Sequence, residues 1–435
     1  MHLFLLGAGH VGLVTAVGFA RLGHRVTVAD VDAARIDDLR AGRTPIFEPG
    51  LEDAIAALGD RLDFTPDLRP PADCRHAFVA VGTPLGPDGP LATDHVEAAV
   101  RRLLGEIGPD HVIVIRSTLP MSGPGSLLAI RREHGNGAAI ATNPEFMREG
   151  SALRDFERPG RIVTGWLEER DRAAAEEVLG LYAGISAPTL VADARSVALI
   201  KLASNVFLAM KVAYANELAR LCDAFEANAP VVADGLGLDE RIGRAFLDAG
   251  PGFGGSCLPE QAVALAGIAA AAGVPAPLIG AVARSNGVHQ DAIASRLAEL
   301  LGADLAQDAT GLRGRRIALL GLAFKANTDD VRQSPALAIA AALRAAGATV
   351  VATDPRAAGP ARRADRDLEI ADDPLAAARG ADAALVVTEW PEYRTINWPA
   401  MAAAMRGDLV YDTRAIVDAD EVRAAGLRVE RLGRP

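Results

Sequence analysis

Leu3-Phe4-Leu5-Leu6-Gly7-Ala8-Gly9-His10-Val11-Gly12, at the start of the 435-residue chain, decides how the rest is read. Leu3 to Leu6 predicts a short apolar strand. Glycines at 7, 9 and 12 follow directly, and Leu13 to Leu22 predicts a helix that ends near Gly23. Val26 to Ala29 predicts a second strand, closed by Asp30. This is a βαβ unit with the dinucleotide fingerprint. Gly7 permits the tight turn, Gly9 lets the backbone approach a pyrophosphate, and Gly12 allows close packing of helix on strand. Asp30, 18 residues past Gly12, is placed to bind a ribose 2′-hydroxyl and to repel a 2′-phosphate, which favours NAD over NADP. Arg35, on the following helix, pulls the other way, because a basic residue tolerates phosphate. Gly7, Gly9, Val11, Gly12, Asp30 and Arg35 are the cofactor candidates.

Apolar segments at Ala77 to Val81, Val112 to Ile115, Ala139 to Thr142 and Ile162 to Gly165 alternate with helical stretches, predicting a mostly parallel sheet covered on both faces. From Ser196 to Phe225 neither glycine nor proline interrupts the chain. Leu199, Leu202, Val206, Met210, Ala213 and Leu221 recur there at near-helical spacing. Such a helix is about 45 Å long and is expected to link domains and carry a dimer interface. Alanine-rich helical sequence continues to about Ala306. A second αβ series then opens with a strand at Ile317 to Leu320 and continues with a helix at Pro335 to Ala346. Later strands are expected at Val350 to Thr353, Ala384 to Val387 and Leu409 to Tyr411. The expected architecture is α/β: two Rossmann-like, doubly wound parallel-sheet domains joined by a long helix and a central all-helical domain. Their expected bounds are 1–190, 191–306 and 307–435. The second series lacks a GxGxxG, so its ligand need not be a dinucleotide.

A net charge of −11 argues against a nucleic-acid partner. Cys74, Cys222 and Cys257 are an odd set without metal-ligand spacing, so no metal is expected and the chain reads as a reduced intracellular protein. Met1 to Leu6 lacks a basic region and reads as a strand rather than a signal peptide. No apolar run is judged long and uninterrupted enough to span a membrane. A cytoplasmic location is expected.

Cys257 lies in Gly252-Phe253-Gly254-Gly255-Ser256-Cys257-Leu258-Pro259. A thiol in that setting either fills a small apolar niche or attacks a bound carbonyl. Gly82-Thr83-Pro84, Ser117-Thr118 and Asn143-Pro144-Glu145-Phe146-Met147-Arg148-Glu149-Gly150 follow strands, where open αβ sheets bind ligands. Glu145 and Glu149, four apart, are expected to share a helical face, and one would serve as general base if burial raised its pKa. Lys201 and Asn205, also four apart, form either a surface stripe or an oxyanion-stabilising pair. Gly321-Leu322-Ala323-Phe324-Lys325, Thr328-Asp329-Asp330-Val331-Arg332 and Asp412-Thr413-Arg414 place cations at strand ends, which suits a diphosphate.

Together these blocks, with Pro45-Ile46-Phe47-Glu48-Pro49-Gly50-Leu51, resemble the UDP-glucose/GDP-mannose dehydrogenase family across nearly the whole chain. The cysteine loop looks like the UDP-glucose or GDP-mannose branch. The Asn143–Phe156 and Phe246–Pro251 segments look more like the UDP-glucose enzymes. The resemblance implies NAD as cofactor and UDP-glucose or a related sugar nucleotide as substrate. It also implies a homodimer and a four-electron oxidation at C6, in which Cys257 carries a thiohemiacetal and then a thioester. It implies that Thr118 and Glu145 position water or proton transfers and that Lys201 and Asn205 stabilise oxyanions. Thr83, Thr118, Glu149 and Arg332 would meet the cofactor. Glu145, Phe146, Arg148, Glu149, Lys201, Asn205, Phe246, Gly250, Phe253, Gly254 and Lys325 would meet the substrate. The family pattern continues Cys-x-Pro-Lys-Asp, whereas this chain has Glu260 and Gln261 at the last two positions. Gln261 cannot act as a base, so thioester hydrolysis is expected to be slow, and a weakly active or non-catalytic sugar-nucleotide binder is the alternative reading.

Overall fold

The computed structural model describes residues 1–86 and 91–434. The chain divides into two compact units, Met1–Ser204 with Gly267–Gly273, and Asn205–Ala266 with Val274–Pro435.

The first unit holds an eight-stranded sheet in the order β3-β2-β1-β4-β5-β6-β7-β8. Its strands are β1 (His2–Leu6), β2 (Arg25–Ala29), β3 (Leu62–Thr65), β4 (Cys74–Val79), β5 (Val112–Ile115), β6 (Ala139–Thr142), β7 (Ile162–Trp166) and β8 (Thr189–Asp193). All neighbours pair in parallel except β6 with β7. Alternation along each strand feeds two cores. Leu3, Leu5, Val26, Val28, Phe78 and Val114 pack into one, while Phe4, Leu6, Ala77, Val79, Ile113 and Ile115 pack into the other. A strand apolar on both faces requires helices above and below, which is why this sequence reads as continuous apolar runs rather than as alternation.

The second unit holds a six-stranded, wholly parallel sheet in the order β11-β10-β9-β12-β13-β14. Its strands are β9 (Arg316–Leu320), β10 (Thr349–Thr353), β11 (Glu369–Ile370), β12 (Ala383–Val386), β13 (Leu409–Asp412) and β14 (Arg428–Arg431). The order is that of the first six strands, so the expected repetition of one doubly wound plan is present. Both sheets reverse direction beside their first strand, at β1/β4 and at β9/β12. Ligands of such sheets bind in the crevice beyond the carboxyl ends there.

The two switch points are built alike. Gly7 and Gly321 follow β1 and β9 at φ +112° and +104°. A Cβ on Gly7 would lie 2.6 Å from the Ala80 carbonyl oxygen, and one on Gly321 would lie 2.3 Å from Thr388 Cβ. Glycine is therefore required twice over at each turn.

The helix expected over 196–225 runs from Ala194 to Phe225. It overturns one expectation, because by length and mean hydropathy it is apolar enough to cross a membrane. A helix lined with alanine and leucine for packing scores the same as one lined for lipid. Here 44% of its most apolar stretch is buried within the protein. The remaining helices used below are His10–Arg21, Ala152–Glu157, Cys257–Ala271 and Pro277–Leu300.

Candidate functional site

The helix His10–Arg21 starts at Gly9, which has no side chain to cap it. An anion can take the place of a cap, and nothing lies within 4 Å of where a Gly9 Cβ would stand. Asp30 stands at the end of β2, almost fully buried. Its Oδ2 accepts the Ala8 N–H at 2.7 Å, and its Oδ1 accepts the Asp32 N–H at 2.9 Å. Arg35 Nη1 donates to Asp30 Oδ2 at 3.1 Å. The fingerprint glycines, Val11, Asp30 and Arg35 thus form one cluster at the carboxyl edge of β1 and β2. It fits a dinucleotide: open backbone for the pyrophosphate, and a carboxylate anchored for the ribose. Thr83 and Thr118 follow β4 and β5, the next two strands along the same edge.

The loop after β6 departs from expectation. Residues 144–149 are not helical, and the next helix starts only at Ala152. Glu145 and Glu149 therefore share no helical face. Instead the Glu145 carboxylate folds back on its own loop and accepts the Met147 N–H at 2.5 Å. Lys201 Nζ donates to Glu145 Oε1 at 2.8 Å and to its carbonyl oxygen at 2.6 Å. Both side chains are more than nine-tenths buried. Burial alone would raise the Glu145 pKa. The Lys201 charge and hydrogen bond, the Arg116 charge and the Met147 amide together take it below the ordinary carboxylate value. Glu145 is therefore held ionised, and the raised pKa that would suit a general base is absent. Lys201 is no surface residue.

Two residues that the sequence reading passed over complete this core. Arg116 Nη1 donates to the Asn143 side chain at 2.9 Å and to the Tyr182 hydroxyl at 3.1 Å, and Tyr182 donates to Asn143 Oδ1 at 2.6 Å. Only a cation directly before Ser117-Thr118 hinted at Arg116. Tyr182 carried no signal. Phe146 lies under cations, with Arg161 Cζ 3.9 Å and Lys201 Nζ 5.4 Å from its ring centroid. Arg148 is turned toward Asp155, donating at 2.7 and 2.9 Å.

Glu48, from the Pro45–Leu51 block, is buried and accepts from Gly150 N at 2.7 Å and Ala152 N at 2.8 Å. It also bonds His10 Nε2 at 2.9 Å. Burial disfavours the charged His10 ring. The Glu48 hydrogen bond and the charges of Glu149, Glu48 and Glu145 outweigh it and raise the His10 pKa above 6.5.

In the second unit, Cys257 is an exposed thiol on the first residue of the helix Cys257–Ala271. A helix N-terminus favours thiolate over thiol. Cys74 and Cys222 are buried, and burial pushes the Cys74 thiol up to about 12. One turn beyond Cys257, Gln261 is buried and its Oε1 accepts from Asn205 Nδ2 at 3.0 Å. Burial raises the Glu260 pKa, partly offset by Arg332. The glycines before Cys257 lie against the β9 loop. A Cβ on Gly255 would be 3.0 Å from the Phe324 ring, and one on Gly254 would be 2.6 Å from the Gln333 carbonyl oxygen. Lys325 Nζ is 5.3 Å from the Phe324 centroid, and Arg332 Nε donates to both Asp330 oxygens at 2.9 Å. Arg414 Nε donates to the Val387 carbonyl at 2.8 Å, and a Gly250 Cβ would lie 3.1 Å from Arg414 Nη1. Phe246 sits at φ +64°, a conformation non-glycine residues rarely adopt. Gly250, Gly254 and Gly255 thus lie against residues that follow β9 and β13, the segments that also carry Lys325, Arg332 and Arg414, while Asn205 is joined to the Cys257 helix through Gln261, all within one unit.

Residues 1–184 match the NAD binding domain of the UDP-glucose/GDP-mannose dehydrogenase family, residues 195–287 its central domain, and residues 318–419 its UDP binding domain. The chain is 40% identical over 444 residues to a UDP-glucose 6-dehydrogenase of Rhizobium meliloti, covering all of both chains. It is 38% identical to UDP-glucose 6-dehydrogenase TuaD of Bacillus subtilis, over 99% of this chain and 93% of that one. A solved UDP-glucose dehydrogenase from the archaeon Pyrobaculum islandicum superposes with a TM-score of 0.88 at 39% identity, covering 100% of this chain and 98% of the other.

Two outcomes follow from this geometry. Glu145→Gln leaves Lys201 charged and buried without its counter-ion, and chemical denaturation is expected to show a loss of about 3–5 kcal/mol. Adding Lys201→Met removes the stranded charge and recovers most of that loss. In an NMR titration His10 is expected to have a midpoint above 6.5, falling when Glu48 is replaced by Gln. The raised value means that the pair's contribution to stability is complete below pH 6.5 and fades as pH climbs through the folded-state midpoint.

Proposed function

We propose a function on one premise: the chain belongs to the UDP-glucose/GDP-mannose dehydrogenase family. It is an NAD-dependent nucleotide-sugar dehydrogenase that converts UDP-glucose to UDP-glucuronate. The C6 alcohol loses a hydride to NAD and a proton to the medium. The resulting aldehyde takes up the Cys257 thiol as a thiohemiacetal. The thiohemiacetal then gives a second hydride to another NAD and its hydroxyl proton to the medium, leaving a thioester, which water cleaves to the carboxylate and free thiol with release of a proton. The single observation that carries this reading is the contrast among the cysteines: Cys74 and Cys222 are buried in cores, while Cys257 is exposed at a helix start in a glycine loop.

Gln261 qualifies the last step. It is tied to Asn205 as an amide and accepts no proton, so hydrolysis lacks a base at that position. Loss of a general base slows a step by about 10²–10⁴-fold. The expected result is two NADH per UDP-glucose, with the acyl-enzyme accumulating and visible by intact-protein mass spectrometry. Cys257→Ser is expected to abolish the four-electron reaction. One NADH per sugar, or wild-type turnover by Cys257→Ser, defeats this function. Rapid turnover of an enzyme that stays unmodified at steady state defeats slow hydrolysis alone. GDP-mannose belongs in the same substrate panel.

We infer homodimerisation through the long helix, where Phe207, Tyr214, Leu221 and Phe225 are all more than half exposed. Light scattering is expected to give twice the 45.2 kDa chain mass, and a monomer at micromolar concentration would refute it. A reducing, cytoplasmic setting agrees with an exposed catalytic thiol.

A further inference from the structure

The loop before Cys257 runs Gly250-Pro251-Gly252-Phe253-Gly254-Gly255. Glycines have no side chains to pack and many backbone conformations to choose among. Packing alone cannot fix such a segment, yet a reacting atom 1 Å out of place can lose about 10²-fold in rate. Something must hold the backbone itself.

Three buried side chains do so, none of them marked by a sequence motif. Asn286 Oδ1 accepts the Phe253 N–H at 2.9 Å, and its Nδ2 donates to the Phe253 carbonyl at 2.9 Å. Asn216 Oδ1 accepts the Gly250 N–H at 2.9 Å. His289 Nε2 meets the Gly250 carbonyl at 2.7 Å. Gly250 and Phe253 are thus each held at both N–H and C=O. Asn286 and His289 are three residues apart on the helix Pro277–Leu300 and so present the same face. Gly252 runs close against this helix at φ +116°, where a Cβ would lie 2.7 Å from Asn286 Oδ1 and 3.3 Å from Gln290 Nε2.

The His289 tautomer follows from its neighbour. Arg220 can only donate, and its Nη1 lies 2.5 Å from His289 Nδ1. The ring proton is therefore on Nε2, facing the Gly250 carbonyl. Burial, with the Arg220 charge added, brings the His289 pKa down to about 4. The ring remains a neutral donor near pH 7.

We propose that Asn286, assisted by His289 and Asn216, is a positioning residue that clamps the glycine loop and thereby sets the geometry in which Cys257 is presented. This rests on the reading of Cys257 as the nucleophile. An amide suits the task because it alone supplies a donor and an acceptor in the spacing of one peptide unit.

The test compares wild type with Asn286→Ala. The readouts are the first-turnover rate of NADH formation, which precedes thioester hydrolysis, the NAD concentration that half-saturates it, the melting temperature, and the rate of Cys257 alkylation by iodoacetamide followed by peptide mass spectrometry. A folded Asn286→Ala is expected to lose roughly 100-fold in the first-turnover rate. Its half-saturating NAD concentration is expected to stay within twofold, and its alkylation rate to change severalfold. Asn286→Asp keeps the acceptor, loses the donor, and is expected to fall between the two. A first-turnover rate within threefold of wild type together with an unchanged alkylation rate overturns the clamp. Cys257→Ser is read separately: if it retains wild-type turnover, the nucleophile assignment fails, whereas an inactive Cys257→Ser beside a fully active Asn286→Ala sinks only the clamp. If Asn286→Ala does not fold, His289→Gln, which keeps a donor, is compared with His289→Ala. A first-turnover rate retained by Gln and lost by Ala upholds the clamp, and equal rates in the two overturn it.

Discussion

A single carboxylate at the end of the second strand ties down the loop that leaves the first strand, and it does so in both units. Asp30 accepts the Ala8 N–H at 2.7 Å, and Asp354 accepts the Leu322 and Ala323 N–H groups at 2.7 and 3.0 Å. A loop at the carboxyl edge of a parallel sheet points its N–H groups away from the ladder, where no strand can pair them. An acid one strand over satisfies them and draws the turn closed. Asp354 goes further, accepting from Arg356 N, Ala357 N and Trp390 Nε1 as well. The turn glycines tolerate the resulting geometry. The first unit follows this turn with a glycine-opened helix suited to a dinucleotide, while the second follows it with Phe324 and Lys325.

Beyond that shared frame the two units hold their candidate site residues differently. The first buries charge: Arg116, Glu145 and Lys201 are all under nine-tenths cover or better and mutually compensated. Such a network is tolerable only when every member is satisfied, so its geometry is sharply defined. The second unit anchors the backbone of its cysteine loop through neutral side chains, with the charged Arg332 and Arg414 also close to the loop. Asn205, Gln261, Asn216, Asn286 and the neutral ring of His289 bond backbone or one another.

Much of the fold could be read because buried parallel strands must be apolar on both faces. Leu3–Leu6, Val112–Ile115 and Ile317–Leu320 announce themselves that way. The strands that escaped were edges. Leu62–Thr65, Thr189–Asp193 and Arg428–Arg431 are partly exposed and carry charge, and Glu369–Ile370 has only two residues. Around the site, glycine spacing and a cysteine within a glycine loop were legible because their chemistry is local. Loop 144–149 was misread as helix because two acids four apart suit a helix equally well, and only the tertiary partner Lys201, 56 residues on, decides otherwise. Asn286 and His289 meet their loop across 33 and 39 residues and belong to no motif. Composition cannot reveal an amide whose function is to replace a missing peptide neighbour.

The amides near Cys257 bear on how the proposed chemistry would divide. Capture of an aldehyde needs a thiolate, which the start of a helix favours. Hydride transfer from a thiohemiacetal needs the emerging charge steadied, which amides accomplish by hydrogen bonding. Neither step requires Gln261 to accept a proton. Hydrolysis differs, because an attacking water must lose one as it attacks. The Asn205–Gln261 bond holds one amide hydrogen in a fixed direction and leaves both residues unable to take up that proton. A carboxylate at position 261 would accept the same Asn205 hydrogen and also the proton. On the proposed reading, an amide at position 261 keeps the hydrogen bond to Asn205 and lacks the proton acceptor that thioester cleavage would use.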